Sequence, residues 1–89
     1  MKISDIRIRL IHKETTRIKA IATITIDDCF VVHDIKVLEN DHGYFIAMPN
    51  KKTLEGDYKD ITHPINTETR ELLTTMIIDA YKVAINENN

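Results

Sequence analysis

Apolar and polar side chains alternate along the first third of the chain. Between residues 6 and 10, isoleucine and leucine alternate with arginine, which is the two-residue period of a strand with one buried face. A second strand is predicted to carry its apolar residues on one face, namely Ile18, Ala20, Ala22, Ile24 and Ile26. The polar residues 12–16 between these runs predict a hairpin loop. The pair Asp27-Asp28 predicts a tight turn after the second strand.

Two further strands follow in the middle of the chain. The third is predicted from Phe30 to Leu38, and apolar residues fall on both of its faces, as in a central or partner-covered strand. Regular alternation puts Phe30, Val32 and Leu38 on one face, and Val31, Ile35 and Val37 on the other. A turn over residues 39–43 leads into a fourth strand, Tyr44 to Met48, which ends at Pro49 because proline has no N–H for the ladder. Residues 58–61 are predicted to add a brief edge strand.

The last part of the chain has a helical period. Asn66 or Thr67 can cap the helix, and Glu68 suits the positive end of its dipole. An apolar stripe at three- and four-residue spacing predicts a helix to about Ile85, and it comprises Leu73, Met76, Ile77, Ala80 and Ala84. Three residues fall partly off this stripe and suggest a subunit contact, namely Ile78, Val83 and Ile85.

These elements predict an α+β fold, an antiparallel β-meander of four to five strands with one C-terminal α-helix packed on it. Four strands joined by short polar turns are typical of a meander. We expect one domain over residues 1–89, with the sheet at about 2–62 and the helix at about 67–85.

Length and composition restrict the class of protein. Eighty-nine residues suit a single small core, for which pairing with a second copy is a common remedy. The one cysteine, Cys29, excludes an internal disulfide and is expected to pack within a strand. The N-terminal pattern resembles neither a signal peptide nor a membrane span, so we expect a soluble cytoplasmic protein that does not enter the membrane.

Little in the sequence indicates catalysis. The four histidines, at positions 12, 33, 42 and 63, lack the spacing of a zinc site. His33 and Asp34 are adjacent, so in a regular strand they would point to opposite faces. No glycine-rich phosphate loop is present, since the chain has only two glycines. We therefore expect no metal, no cofactor and no enzymatic activity.

Positive charges are the stronger indication of function. The candidate nucleic-acid-binding residues are Lys51, Lys52, Lys59, Arg70, Arg7 and Arg9. Surface lysines and arginines mostly serve only solvation. Because the net charge is −2, a nucleic-acid role must depend on a local basic patch. Tyr44 and Tyr58 are candidates for stacking on bases, although an aromatic residue in a strand more often belongs to the core.

Three segments in order resemble the SpoVG family (stage V sporulation protein G, or septation regulator). They are residues 31–37, residues 43–53 with the run Ala-Met-Pro-Asn-Lys-Lys-Thr, and residues 60–66 with Asp-Ile-Thr-His-Pro-Ile-Asn. The resemblance covers nearly the whole chain. Lys51 and Lys52 match the family's basic pair after Ala-Met-Pro, and Lys59 matches a further basic position. Lys52 stands where arginine is usual, so it lacks the bidentate geometry of a guanidinium group.

The resemblance implies a small bacterial cytoplasmic protein that forms a homodimer through its sheet. Members of the family are linked to septum formation, sporulation and virulence-gene control, and they bind DNA and RNA. The leading hypothesis is therefore a dimeric nucleic-acid-binding regulator. The alternative is a protein-interaction adaptor in division or sporulation that does not bind nucleic acid.

Overall fold

The computed structural model describes residues 1–13 and 16–87. Its elements are β1 (Ile3–Leu10), β2 (Ile18–Ile26), β3 (Phe30–Asn40), β4 (Gly43–Ala47), β5 (Asn50–Lys52), β6 (Tyr58–Asp60) and α1 (Thr67–Glu87). The first four strands form an antiparallel sheet in the order β1-β2-β3-β4, and β5 pairs with β6 in a separate sheet. The predicted α+β meander with one C-terminal helix is thus confirmed. Residues 14 and 15 of the predicted hairpin loop lie outside the described residues.

The helix packs on one face of the four-stranded sheet, which we call the inner face. The buried apolar residues are Ala20, Ala22, Ile24, Val32, Ile35, Val37, Met48, Leu73, Ile77 and Tyr81. They form one cluster, to which β1 adds the half-buried side chains of Ile6 and Ile8. The opposite face of the sheet, the outer face, carries Arg7 and Arg9 and is not covered by the helix. No helix among the described residues is long and apolar enough to cross a membrane.

Asn66 caps the N-terminal end of the helix. Its side-chain Oδ1 accepts a hydrogen bond of 2.8 Å from the backbone N–H of Thr69, which satisfies a donor that the first helical turn leaves unpaired. Of the two predicted caps, the structure therefore selects Asn66.

The helix buries Leu73, Ile77 and Tyr81 at a spacing of four residues. Tyr81 is absent from the predicted stripe, although it continues the four-residue spacing of Leu73 and Ile77. Ile85, predicted to lie partly off the stripe, is partly buried and packs against the core. Val83 fits the prediction better, since 56% of it is exposed.

A β-bulge in β3 changes the predicted faces of that strand. Ile24 pairs with Val32 and Ala22 pairs with Ile35, so two residues of β3 lie opposite the single residue between Ala22 and Ile24. The extra residue is accommodated at Asp34, whose φ of 62° is left-handed. As a result Val32 and Ile35 are both buried, whereas regular alternation places them on opposite faces.

Replacing Asp34 tests this bulge. Asp34→Val should lower the free energy of unfolding by about 1–3 kcal/mol, because a β-branched residue is strained at positive φ. Asp34→Gly should be neutral or slightly stabilising, because glycine adopts this conformation freely. Urea unfolding of both variants measures the difference. An equal loss in both would mean that the aspartate side chain, rather than the backbone conformation, maintains the bulge.

The turn between β2 and β3 is tight, as predicted. Asp27 and Asp28 have φ values of 51° and 57°, and both central residues of a type I′ hairpin turn have positive φ. Lys2 donates its backbone N–H to Asp27 Oδ1 at 2.9 Å, which ties the turn to the start of β1. Cys29 is exposed in this turn, so the prediction that it packs within a strand is wrong.

Candidate nucleic-acid interface

The segment after Pro49 folds into a short β-hairpin. The sequence pattern predicts a brief edge strand at residues 58–61. Instead, β5 and β6 pair with each other. Beyond β6, Ile61 donates its N–H to the carbonyl of Pro49 at 2.7 Å, and Pro49 has no N–H with which to continue β4. We call residues 50–60 the basic hairpin.

The tip of the basic hairpin is closed by its own hydrogen bonds. Thr53 donates its N–H to the carbonyl of Asp57 at 2.6 Å, and Gly56 donates to the carbonyl of Thr53 at 3.0 Å. Asp57 in turn donates its N–H to Thr53 Oγ1 at 3.2 Å. Gly56 has a φ of 93°, which a residue with a Cβ rarely adopts. The tip therefore has a defined shape, although its residues are largely exposed.

The register of the hairpin decides which lysines lie together. Lys51 pairs directly with Lys59, and Lys52 pairs with Tyr58. Since neighbouring residues of a strand point to opposite faces, Lys51 and Lys59 share one face while Lys52 and Tyr58 share the other. Like charges directly opposite in a ladder repel each other, so an anion that binds between Lys51 and Lys59 would relieve this repulsion.

No carboxylate neutralises these lysines within the part of the chain that the structure describes. The two ion pairs found there join Arg7 to Asp5 at 3.1 Å and Lys19 to Glu39 at 4.0 Å. The lysines line an open pocket of about 600 Å³. Its lining consists of Lys51, Lys52, Thr53, Leu54, Lys59, Asp60 and Ile61. Three lysines, the apolar residues Leu54 and Ile61 and one acidic residue, Asp60, therefore surround this pocket, with Lys51 and Lys59 on one face of the hairpin and Lys52 on the other.

Arg7 and Arg9 form a second basic group on the outer face of the sheet. They line a hollow of about 290 Å³ together with His33 and Asp34. Because the bulge leaves His33 and Asp34 both exposed between the buried Val32 and Ile35, the alternation predicted for a regular strand does not hold here. The ion pair between Arg7 and Asp5 is exposed and therefore weak. Among residues 1–13 and 16–87, no group of three or more histidine, cysteine, aspartate or glutamate side chains is placed to hold a metal ion.

Arg70 lies apart from both basic groups. It is in the first turn of α1, where its N–H donates to the carbonyl of Asn66 at 3.2 Å. Its carbonyl accepts a hydrogen bond of 2.8 Å from Thr74 Oγ1. Its side chain is exposed but lines neither the basic-hairpin pocket nor the hollow at Arg7. The structure thus brings Lys51, Lys52 and Lys59 together and leaves Arg70 separate.

The two candidate stacking residues differ in exposure. Tyr58 is 70% exposed. Tyr44 packs edge-to-face against Tyr81, with the ring centroids 5.1 Å apart, so Tyr58 is the better placed of the two to meet a base. Two apolar neighbours of the site, Leu54 and Ile61, are not among the residues that the sequence predicts to contribute. Both are exposed, and their position in or beside a polar loop is the one signal that could have indicated them.

Comparisons with known proteins match nearly the whole chain to one family. The SpoVG family model matches residues 1–83. A protein of Caldicellulosiruptor bescii is 53% identical over 85 residues, covering 96% of both chains. One of Agathobacter rectalis is 56% identical over 85 residues, covering 96% of this chain and 97% of its own. One of Clostridium novyi is 55% identical over 87 residues, covering 98% and 86%. Each of these relatives is named "Putative septation protein SpoVG".

Proposed function

This chain belongs to the SpoVG family, and on that premise we propose that it is a non-enzymatic, homodimeric regulator that binds DNA or RNA in the cytoplasm. Through this binding it would affect septation, sporulation and gene expression. The observation that carries the proposal is the basic hairpin, in which Lys51, Lys52 and Lys59 lie together without a carboxylate partner among the described residues.

Phosphate binding is the interaction that such a site supports best. Each lysine that neutralises a phosphate releases a condensed counterion, and this release supplies affinity without reading the sequence. A lysine ammonium is a point charge with rotatable donors, which suits a flexible backbone better than a fixed base edge. Arg7 and Arg9 would add phosphate contacts where the nucleic acid reaches the outer face. Arg70 would contribute only to the binding of a longer nucleic acid.

A homodimer would carry two basic hairpins on one particle. The net charge of −2 per chain doubles as well, so the gain would come from short-range contacts of both hairpins with one strand rather than from long-range attraction. On the outer face, the part formed by β3 and β4 supports self-association, because it carries apolar side chains such as Leu38 paired with Phe45 and lies away from Arg7 and Arg9, which are on β1 at the other edge of the sheet. Sedimentation equilibrium measures the oligomeric state.

The test is a triple substitution, Lys51→Gln with Lys52→Gln and Lys59→Gln. We expect weaker binding to labelled DNA and RNA and a shallower salt dependence, by about 0.7–0.9 in the log–log slope for each phosphate that the protein no longer neutralises. Fluorescence anisotropy over a salt series measures both quantities. The charge-matched control is Lys2→Gln with Lys13→Gln and Lys82→Gln, since these lysines are exposed and outside the hairpin. If both triple variants lose binding equally, the basic hairpin is not the site.

A second candidate function is the protein-interaction adaptor. It is favoured by an exposed apolar group at the base of the hairpin, where Phe30, Val31 and Ile61 line a hollow of about 280 Å³ with Pro49. Nucleic acid that copurifies with the protein and is removed by high salt would favour the regulator. A folded protein that binds neither DNA nor RNA at low salt would favour the adaptor.

A further inference from the structure

Tyr58 has the surroundings of a base-stacking residue. It is 70% exposed, and its position in the hairpin is fixed by pairing with Lys52. Side chains directly opposite in an antiparallel pair have Cβ atoms about 4.5–5.5 Å apart. An aromatic ring and an ammonium group therefore lie side by side on one face, open to solvent.

The opposite face of the same hairpin is different. It carries the Lys51–Lys59 pair, which has positive charge but no aromatic ring. A flexible strand that bends around the hairpin can place a phosphate against each lysine and a base against Tyr58. A single strand can follow such a path, because its backbone is compliant and every base has a π-face.

A duplex fits this arrangement poorly. Its bases are stacked on each other, so a ring can contact a base face only after the base leaves the stack, at a cost of a few kcal/mol. The pair next to Lys52–Tyr58 on the same face is Asn50–Asp60. A continuous phosphate backbone along this face would therefore meet the Asp60 carboxylate, whereas an unpaired base can hydrogen-bond to it.

We infer that the basic hairpin prefers single-stranded over double-stranded nucleic acid, with an unpaired base stacked on Tyr58 and the adjoining phosphate bound to Lys52. This inference rests on the proposed function, because it specifies which nucleic acid the basic hairpin binds. In this arrangement the lysines supply affinity and Tyr58 supplies the discrimination between strand states.

The test compares Tyr58→Phe, Tyr58→Leu and the wild type on a labelled oligothymidylate, an oligouridylate and a duplex of equal length. Tyr58→Leu keeps an apolar side chain but removes the ring. We expect it to weaken single-strand binding about tenfold and to change duplex binding less than about twofold. Tyr58→Phe should bind as the wild type does. The chain has no tryptophan, so tyrosine emission also reports stacking, and the quenching seen on binding should disappear in both variants.

The outcomes separate this inference from the proposed function. If Tyr58→Leu binds single strands normally, or if the wild type binds the duplex at least as tightly, the inference is overturned, while the triple glutamine variant still tests the hairpin. If the wild type binds none of the three probes at low salt, both proposals fail. Because Tyr58 is exposed, its variants should fold, and thermal unfolding confirms that they do.

Discussion

Ile77→Ala should lower the free energy of unfolding by about 2–5 kcal/mol. Ile77 is fully buried at the middle of α1 and is among the largest completely buried side chains. Its removal leaves a cavity between the helix and the inner face, which neighbouring side chains fill only in part. Native proteins are stable by only about 5–15 kcal/mol, and a chain of 89 residues has few other core residues with which to compensate. Much of the protein should therefore unfold at moderate urea concentration.

A matched control lies on the same helix. Val83 is 56% exposed, so Val83→Ala should change the free energy of unfolding by no more than about 0.5 kcal/mol. Urea denaturation followed by circular dichroism measures both variants. If Val83→Ala cost as much as Ile77→Ala, this side of α1 would have to be covered in solution by another copy of the chain.

The stability of the wild type should fall steeply in alkali because of Tyr81. Burial raises the pKa of the Tyr81 hydroxyl from 10.0 to about 12, and neighbouring Tyr44 acts in the same direction. Between these two values, the unfolded chain has released this proton while the folded chain still holds it. Unfolding is then favoured as pH rises. The contribution of Tyr81 is fully present below pH 10 and is lost as pH rises towards 12, by about 2–3 kcal/mol in total.

Tyr81→Phe isolates this effect from the titration of other groups. Phenylalanine keeps the edge-to-face contact with Tyr44 but has no proton to release, so the variant should lose less stability than the wild type above pH 10. Urea midpoints measured across this range show the difference. Tyr58→Phe is the control, because it removes a tyrosine hydroxyl from an exposed site outside the core. If the stability of Tyr81→Phe fell as steeply above pH 10 as that of the wild type, Tyr81 would not be the cause of the alkaline loss of stability.

Part of the candidate site is predictable from the sequence and part is not. Lys51 and Lys52 are consecutive in the sequence, so the sequence alone shows that they lie close together. Lys59 joins them only because β6 pairs with β5, and this pairing depends on hydrogen bonds between segments separated by a turn. The same register puts Lys52 beside Tyr58 and on the face opposite Lys51, a division that charge counting does not reveal. Arg70 follows the hairpin closely in sequence but belongs to α1 and does not line the basic-hairpin pocket.

Local periodicity in the sequence was sufficient to identify the main elements of the fold. Two-residue alternation specified the strands of the meander, three- and four-residue spacing specified the helix, and the side chains of Asn66 and Thr67 restricted the start of the helix to two adjacent residues, of which the structure selects Asn66. Contacts between distant segments set the remaining details. The bulge at Asp34 brings Val32 and Ile35 to one face because pairing with β2 fixes their register. Tyr81 is buried where α1 packs on the sheet, and there its ring contacts Tyr44 of β4. The local pattern of apolar residues determines whether a segment forms a strand or a helix. Strand register and side-chain packing depend on contacts between distant segments, which form only when the chain has folded.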